Sequence, residues 1–383
     1  MKYDFIIAGA GCAGLSLLYK LLQEPTLQNH TILVIDKDDK KNNDRTWCYW
    51  EKDEGVFEKL VFKKWEKLSF LTTYFQKELA IKPYSYKMIR GLDFYEFVLK
   101  FARQFSNVTF LNQEIISISS DENSATINTK ENHYKANTIF NSTSIFNPEI
   151  NQKNALLQHF KGWVIKAENP VFDEEVGRLM DFRISQEHGD TFMYVLPTSK
   201  TEALVEYTLF TKQLLEKETY NNALKKYIKE ELKIENYTIV HEEFGVIPMS
   251  LANFDKNPKQ NVVNIGTAGG YTKASSGYTF QFIQKDVEEI IENLKLGKKP
   301  NQELSFKDKL YNWYDATLLD VLLSDKLTGK QVFDMMFEKI PPHKILAFLG
   351  NESTLLEDVS IMRRLPIFSF LTSGVKQLFA KKS

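Results

Sequence analysis

The run Asp4-Phe5-Ile6-Ile7-Ala8 is apolar after its first residue, breaks at glycines, and gives way to Leu15-Ser16-Leu17-Leu18-Tyr19-Lys20-Leu21-Leu22. A second apolar, β-branched run follows at Thr31-Ile32-Leu33-Val34-Ile35. Strand, helix and strand in this order, with runs apolar on both faces, predict a parallel βαβ unit. Helical spacing returns from Phe94 to Phe105, with Phe94, Phe97, Val98 and Phe101 on one face. Short strands are expected at Val108–Phe110, Ile115–Ile118 and Ala136–Asn141. From about Phe160 to Val246 the alternation has the period of a strand, apart from a helical stretch near Tyr220 to Leu232, and predicts a separate antiparallel sheet. Val262–Ile265 is a late strand followed by a glycine-rich loop and a helix, and from about Pro300 the pattern is mostly helical. The late strand suits a return to the first sheet, which would split a nucleotide domain around a substrate domain.

Gly9-Ala10-Gly11-Cys12-Ala13-Gly14 is a complete G-x-G-x-x-G between the first strand and its helix. In that context Gly9 permits the turn, Gly11 lets backbone approach a pyrophosphate, and Gly14 lets the helix pack close to the sheet. The helix N-terminus then offers unpaired N–H groups and a positive dipole end to phosphates. Asp36 closes the second strand, where a carboxylate accepts hydrogen bonds from a ribose. A second element, Asn264-Ile265-Gly266-Thr267-Ala268-Gly269-Gly270, also follows an apolar strand, and Ser275 to Phe280 opens a helix. It reads either as a second cofactor-facing helix start or as an ordinary strand-to-helix turn. The motif's place at the start of the chain favours FAD over NAD.

With 49 basic and 50 acidic residues the formal net charge is −1, and nothing suggests a nucleic-acid footprint. Part of the 28 Phe and 17 Tyr must be core, and the same content also suits a large apolar ligand. Two cysteines, Cys12 and Cys48, lack disulfide-framework spacing and fit a reducing cytoplasm. No apolar stretch reaches spanning length, and the expectation is a chain that is not integral to a membrane. The six histidines show no metal-ligand spacing, so no metal is expected.

Asp44-Arg45-Thr46-Trp47-Cys48-Tyr49-Trp50 is an unusual string, and with the N-terminal fingerprint it resembles the bacterial-type lycopene cyclase family of FAD-binding proteins. Further matches follow in family order: Tyr86 to Gly91, Met180-Asp181-Phe182-Arg183, Leu196-Pro197 leading into Ala203-Leu204-Val205-Glu206-Tyr207-Thr208, Gly245 to Met249, and Gly266 to Phe280. The resemblance covers nearly the whole chain. Many family members carry a second acidic residue directly after the catalytic-strand Glu, whereas Tyr207 stands there in this chain.

The resemblance implies an α/β Rossmann-like flavoprotein fold with an interleaved antiparallel-sheet substrate domain. Residues 1–75, 94–160 and 255–300 are expected to bind FAD, 76–93 and 161–254 to form the substrate domain, and 301–383 a helical C-terminal region. It implies a redox-neutral cyclisation of lycopene ends, an isomerase-type reaction giving β-ionone rings, with bound reduced FAD stabilising a carbocation and NADPH or NADH as reductant. Glu206, set among apolar neighbours, is the expected acid, with Asp181 secondary; Asp181 and Arg183 form an ion pair at the cavity wall or at the surface. Gly9, Gly11, Cys12, Ala13, Gly14, Asp36, Arg45, Gly266, Gly269 and Gly270 are expected at the cofactor. Trp47, Trp50, Phe182, Tyr207 and Tyr278 are expected to line the substrate site, although tryptophans also serve as plain core. Arg363-Arg364-Leu365-Pro366-Ile367-Phe368, Lys376 and the closing Lys381-Lys382-Ser383 suit either peripheral contact with an anionic inner-membrane surface or a packed terminal helix with a charged tail. Two other classes stay open: a redox flavoenzyme of the same fold, such as a prenyl-chain reductase or aromatic hydroxylase, and a carotenoid- or FAD-binding protein without turnover.

Overall fold

The computed structural model describes residues 2–301 and 303–379. The first apolar runs do what their pattern predicts. Strand Lys2–Ala8 pairs in parallel with Ile32–Asp36, which pairs in parallel with Val108–Asn112. On its other side Lys2–Ala8 pairs in parallel with His133–Asn141. The late strand Val262–Asn264 joins this same sheet beside Ile139–Asn141. An antiparallel hairpin, Ile115–Ser120 and Ala125–Thr129, completes the 7-stranded sheet. Helix Cys12–Gln23 packs on one face together with helices Gly91–Ala102 and Phe280–Lys295. Residues more than 250 positions apart thus build one Rossmann-like layer, because the parallel strands need both faces covered.

The middle of the chain forms a second 7-stranded sheet, ordered Tyr237–Ser250, Ala155–Ala167, Glu202–Thr211, Asp190–Pro197, Val176–Asp181, Lys67–Leu71 and Gln76–Ala80. It is antiparallel except where Val176–Asp181 runs parallel to Lys67–Leu71. Helix Lys217–Glu230 covers one face through Tyr220, Leu224 and Tyr227. The other face shares an apolar core with the C-terminal helices, in which Leu319, Phe333 and Leu346 meet Phe70, Leu179 and Leu204. Helices Phe306–Leu323, Gly329–Lys339, Pro342–Leu349, Leu355–Met362 and Ile367–Phe379 account for this region. Capping boxes at Ser305, Thr328 and Thr354 start three of them.

The expected domain boundaries need two corrections. Strand Lys67–Leu71, expected in the cofactor domain, pairs in the second sheet. Strand Ser85–Arg90, expected in the substrate domain, pairs with Thr46–Glu51 and Lys63–Trp65 in a 3-stranded sheet between the two bodies. Strand partners are chosen by long-range register, which local periodicity does not encode.

Candidate active site

The glycine turn shows why its residues are small. A Cβ at Gly14 would lie 2.0 Å from the Gly9 carbonyl oxygen, so the helix could not seat on the strand. Around Gly11 the corresponding position meets nothing within 4 Å and faces open cavity. The first turn of helix Cys12–Gln23 has no side-chain cap, and Gly9, Gly11, Cys12 and Ala13 border the cavity with their backbone. Helix Phe280–Lys295 likewise starts uncapped, and Thr279 and Phe280 border the same space. Two sets of unpaired helix N–H groups therefore face one cleft, the arrangement that receives phosphates and other anions.

Asp36 borders the cavity at this end. Its carboxylate accepts a 2.6 Å hydrogen bond from Ala10 N and one of 2.8 Å from Asp38 N, which ties the second strand to the glycine turn. Arg45 borders the cavity with an exposed guanidinium beside Asp44. Trp47 borders it as well, with its ring edge against Phe94. Burial pushes the Cys12 thiol up to about 12, so it stands there neutral.

The second glycine element is built differently from the first. Gly266 sits against Ala13 of the opening helix, Gly269 against Tyr271, and Gly270 against Phe254. These three glycines serve packing, while Thr267, Ser276, Gly277 and Tyr278 border the cavity. The loop is held by Lys273, whose ammonium lies 2.7 Å from Asp315, and by Ser275, which donates to the same carboxylate. The side-chain oxygens of Gln158 and Ser276 are buried without a hydrogen-bond partner among the described residues, and both residues border the cavity. A polar cofactor ring would supply the missing partners, since buried polar groups are normally paired.

The cavity encloses about 710 Å³, inside the range of roughly 300–1,000 Å³ typical of small-molecule and cofactor sites. It runs without a break from the glycine turn to the wall of the second sheet, where Glu206 lies. Glu206 borders the cavity and is otherwise enclosed by protein. Burial first, and then the neighbouring Glu243, push its carboxyl well above the ordinary carboxylate range against a 2.7 Å hydrogen bond from the Thr208 hydroxyl. Glu206 is therefore held in the protonated form that a general acid needs.

Glu243 was not singled out from the sequence. Strand Ala155–Ala167 runs between the two carboxyl-bearing strands, and its Gly162 pairs with Glu206 on one side and Glu243 on the other. Both carboxyls border the cavity. Burial raises Glu243 too, opposed by a 2.8 Å hydrogen bond from the Thr46 hydroxyl. Thr46 belongs to the Asp-Arg-Thr-Trp string, so that string reaches both the cofactor end and the acid end. In the sequence, Glu242-Glu243 looks like a solvated charge pair; only strand register reveals that one of the two faces inward. Beside the carboxyls stand the half-buried Cys48 and three phenols, Tyr86, Tyr194 and Tyr278, hydrogen-bonded through Tyr278.

Besides the three packing glycines, four expected site residues lie elsewhere. Asp181 is fully buried in an ion-pair cluster: Arg183 grips it with bonds of 2.9 and 2.7 Å, and Tyr227 and Arg178 donate to it. Burial would raise its carboxyl, but Arg183 and Tyr227 overcome that and hold it below the usual Asp value, so it is an anion and not a proton donor. Phe182 stacks among Phe70, Phe192 and Phe333 in the core. Tyr207 points to the helix-covered face with Tyr220, because neighbouring residues of a strand face opposite sides. Trp50 is core; its indole donates to Leu346 O at 3.0 Å, and it touches the site only through Tyr278, at a centroid distance of 4.4 Å. Among the described residues no group of three or more His, Cys, Asp or Glu could hold a metal ion.

A Rossmann-like layer split by a second, mixed sheet, with a cleft between them, is a fold shared with solved flavoproteins. A flavoprotein/dehydrogenase from Cytophaga hutchinsonii matches with a TM-score of 0.62 over 99% of both chains at 12% identity. A geranylgeranyl bacteriochlorophyll reductase-like protein from Thermoplasma acidophilum matches at 0.61 over 98% of both chains at 11% identity. p-Nitrophenol 4-monooxygenase PnpA from Pseudomonas putida matches at 0.57, covering 97% of this chain and 98% of its own, at 12% identity. At such identities the likeness shows the fold alone. Within that class, the family model described as lycopene cyclase protein matches residues 4–374, and the chain belongs to that family. A search of curated proteins found no match.

Proposed function

We propose that the protein is an FAD-dependent lycopene cyclase in which Glu206 protonates the terminal double bond of a linear carotenoid. The observation that carries this reading is a carboxyl kept protonated by burial, in the wall of a cavity continuous with the glycine turn. Proton transfer to an alkene needs a strong local acid in a dry site, and desolvation supplies one. The phenol rings of Tyr86, Tyr194 and Tyr278 offer π faces to a developing cation. Thr208 orients the acid through its hydroxyl. The backbone of Gly9, Gly11 and Ala13 would hold the pyrophosphate of FAD, and Gln158 and Ser276 would serve its polar ring edge. When reduced, the flavin supplies negative charge beside the cation, with NADPH or NADH as its source of electrons. Net redox change is zero, so the reaction is an isomerisation, with β-ionone rings the expected product.

The test is to express the wild type and Glu206→Gln in cells that accumulate lycopene and to analyse the pigments. Cyclic carotenoid from the wild type, and uncyclised lycopene from a folded, flavin-loaded variant, is the expected outcome. Lycopene left untouched by folded, flavin-loaded wild type would overturn the reading in favour of a redox flavoenzyme of the same fold. With purified protein, cyclisation is expected only after the flavin is reduced and without stoichiometric consumption of the nicotinamide. Activity with oxidised FAD would remove the role given to flavin charge.

Exposed apolar side chains support contact with a lipid surface. On helix Ile367–Phe379, Phe368, Leu371, Val375, Leu378 and Phe379 share an exposed face, and Leu355, Leu356 and Val359 are exposed on the preceding helix. Arg363 and Arg364 lie between the two. A face of this kind is expected to sit in the headgroup layer of a membrane, where the apolar substrate resides. Lys381, Lys382 and Ser383 lie outside the described residues.

A further inference from the structure

Ring closure gives the polyene one proton and later takes one away, so the site needs an acceptor as well as a donor. On the cavity face of the second sheet the two carboxyls stand on strands either side of Gly162. A Cβ at Gly162 would come within 3.0 Å of both the Glu243 Cγ and the Leu204 Cδ1. The missing side chain leaves room for the Glu243 side chain over the central strand. Each is oriented by a separate hydroxyl, Thr208 on Glu206 and Thr46 on Glu243. Lys161, next along the central strand, points to the opposite face and is paired with Glu242 at 2.8 Å. Two interacting carboxyls that share one dry site do not both ionise; the pair retains a proton.

We propose that Glu206 and Glu243 form a dyad carrying one proton, in which Glu206 donates it and Glu243 accepts the proton released from the ring carbon. The inference rests on the cyclase reading above. The O–H bond of Glu206 breaks as a C–H bond forms at the terminal double bond. The electrons of a nearby double bond then form the ring C–C bond. A C–H bond of the ring breaks, its electrons become the new double bond, and its proton ends on the Glu243 carboxylate. The dyad finishes with one proton, now on the other carboxyl, and exchange between the two resets it. No oxidant or reductant enters the balance.

Tyr207, the next residue along the strand from Glu206, faces the helix-covered side. The second carboxyl of this site therefore comes from across the sheet and not from along the strand. The other titratable groups facing the pair are Asp44, the Cys48 thiol and the Tyr86, Tyr194 and Tyr278 phenols. Burial raises the thiol and the phenols and keeps them neutral at working pH.

The experiment compares the pH profiles of reduced, flavin-loaded wild type, Glu243→Gln and Glu243→Asp on lycopene in vesicles. The wild type is expected to show a bell, because one carboxyl must be charged and the other neutral. Glu243→Gln is expected to lose about 100-fold or more in rate. Its residual activity should lack the acidic limb, and its alkaline limit should move to lower pH, since Glu206 no longer has a like charge beside it. Glu243→Asp should recover part of the rate and the bell. Wild-type rate in Glu243→Gln, or a slower variant with an unchanged profile, would overturn the dyad while leaving the cyclase reading intact. Should Glu243→Gln fail to retain flavin, Thr46→Val, which removes the hydroxyl bonded to Glu243, carries the test: a wild-type rate and an unshifted acidic limb would overturn the dyad. A wild type that leaves lycopene unchanged would sink the cyclase reading itself, and the dyad with it.

Discussion

Glu206 and Glu243 show how a side chain can be favourable for chemistry and unfavourable for folding. Their ordinary value is 4.5, and burial raises both in the folded chain. Below about pH 4.5 folded and unfolded chains both hold the protons and the groups contribute no pH dependence. As pH rises above that value the unfolded chain releases them and the folded chain does not, so stability falls through the window up to the raised folded values. Glu206→Gln removes one of these groups. It is expected to raise the melting temperature of the flavin-free protein at pH 7–8 and to flatten its fall with pH, while abolishing cyclisation. Calorimetry at pH 5 and pH 8 checks this; an equal or lower melting temperature at pH 8 would count against a buried, raised carboxyl.

Within elements, alternation along a strand decides what a residue can do. Residues 204 and 206 face the cavity, whereas 205 and 207 face helix Lys217–Glu230. Tyr207→Phe is therefore expected to keep cyclising activity near the wild-type level. The Asp181 cluster belongs to that helix-covered side and ties strand Val176–Asp181 to the helix through Tyr227. Asp181→Asn leaves Arg183 and Arg178 without their buried carboxylate and is expected to cost about 3–5 kcal/mol. Because the Asp181 value is lowered, its stabilisation is present above the ordinary Asp value of 3.8 and is lost as pH falls through the lowered one. Urea unfolding measures the cost. Cyclic product from folded Asp181→Asn at reduced temperature would separate this structural role from catalysis, and a stable but inactive variant would return Asp181 to the site.

At the scale of the molecule, the first sheet with its helices and the second sheet border one cleft, and apolar side chains on the last two helices stay exposed, with Leu356, Phe368 and Phe379 each more than 80% accessible. Replacing Phe368, Leu371 and Leu378 together by Ser leaves the inner contacts of this helix, such as the Trp313 bond to Gly374 O, untouched. The triple variant is expected to lose co-sedimentation with anionic vesicles while keeping its flavin. Unchanged sedimentation would assign that face to another partner.

The glycine turn, the βαβ start, the late strand at Val262 and the acidic strand at Glu206 were legible in the chain, because each depends on neighbours a few residues away. Gly14 must be small for reasons contained in six residues, and Glu206 stands in a run whose period marks a strand. Glu243, Thr46 beside it, and the seats of Phe182, Asp181 and Trp50 depend on which strands pair and in which register. Register is settled by contacts summed over a whole sheet face, where a one-residue slip would turn Glu243 to solvent and Glu242 inward. Local periodicity is therefore enough to name the layers and the nucleotide turn, while the meeting of two carboxyls across Gly162 exists only once the sheet has folded.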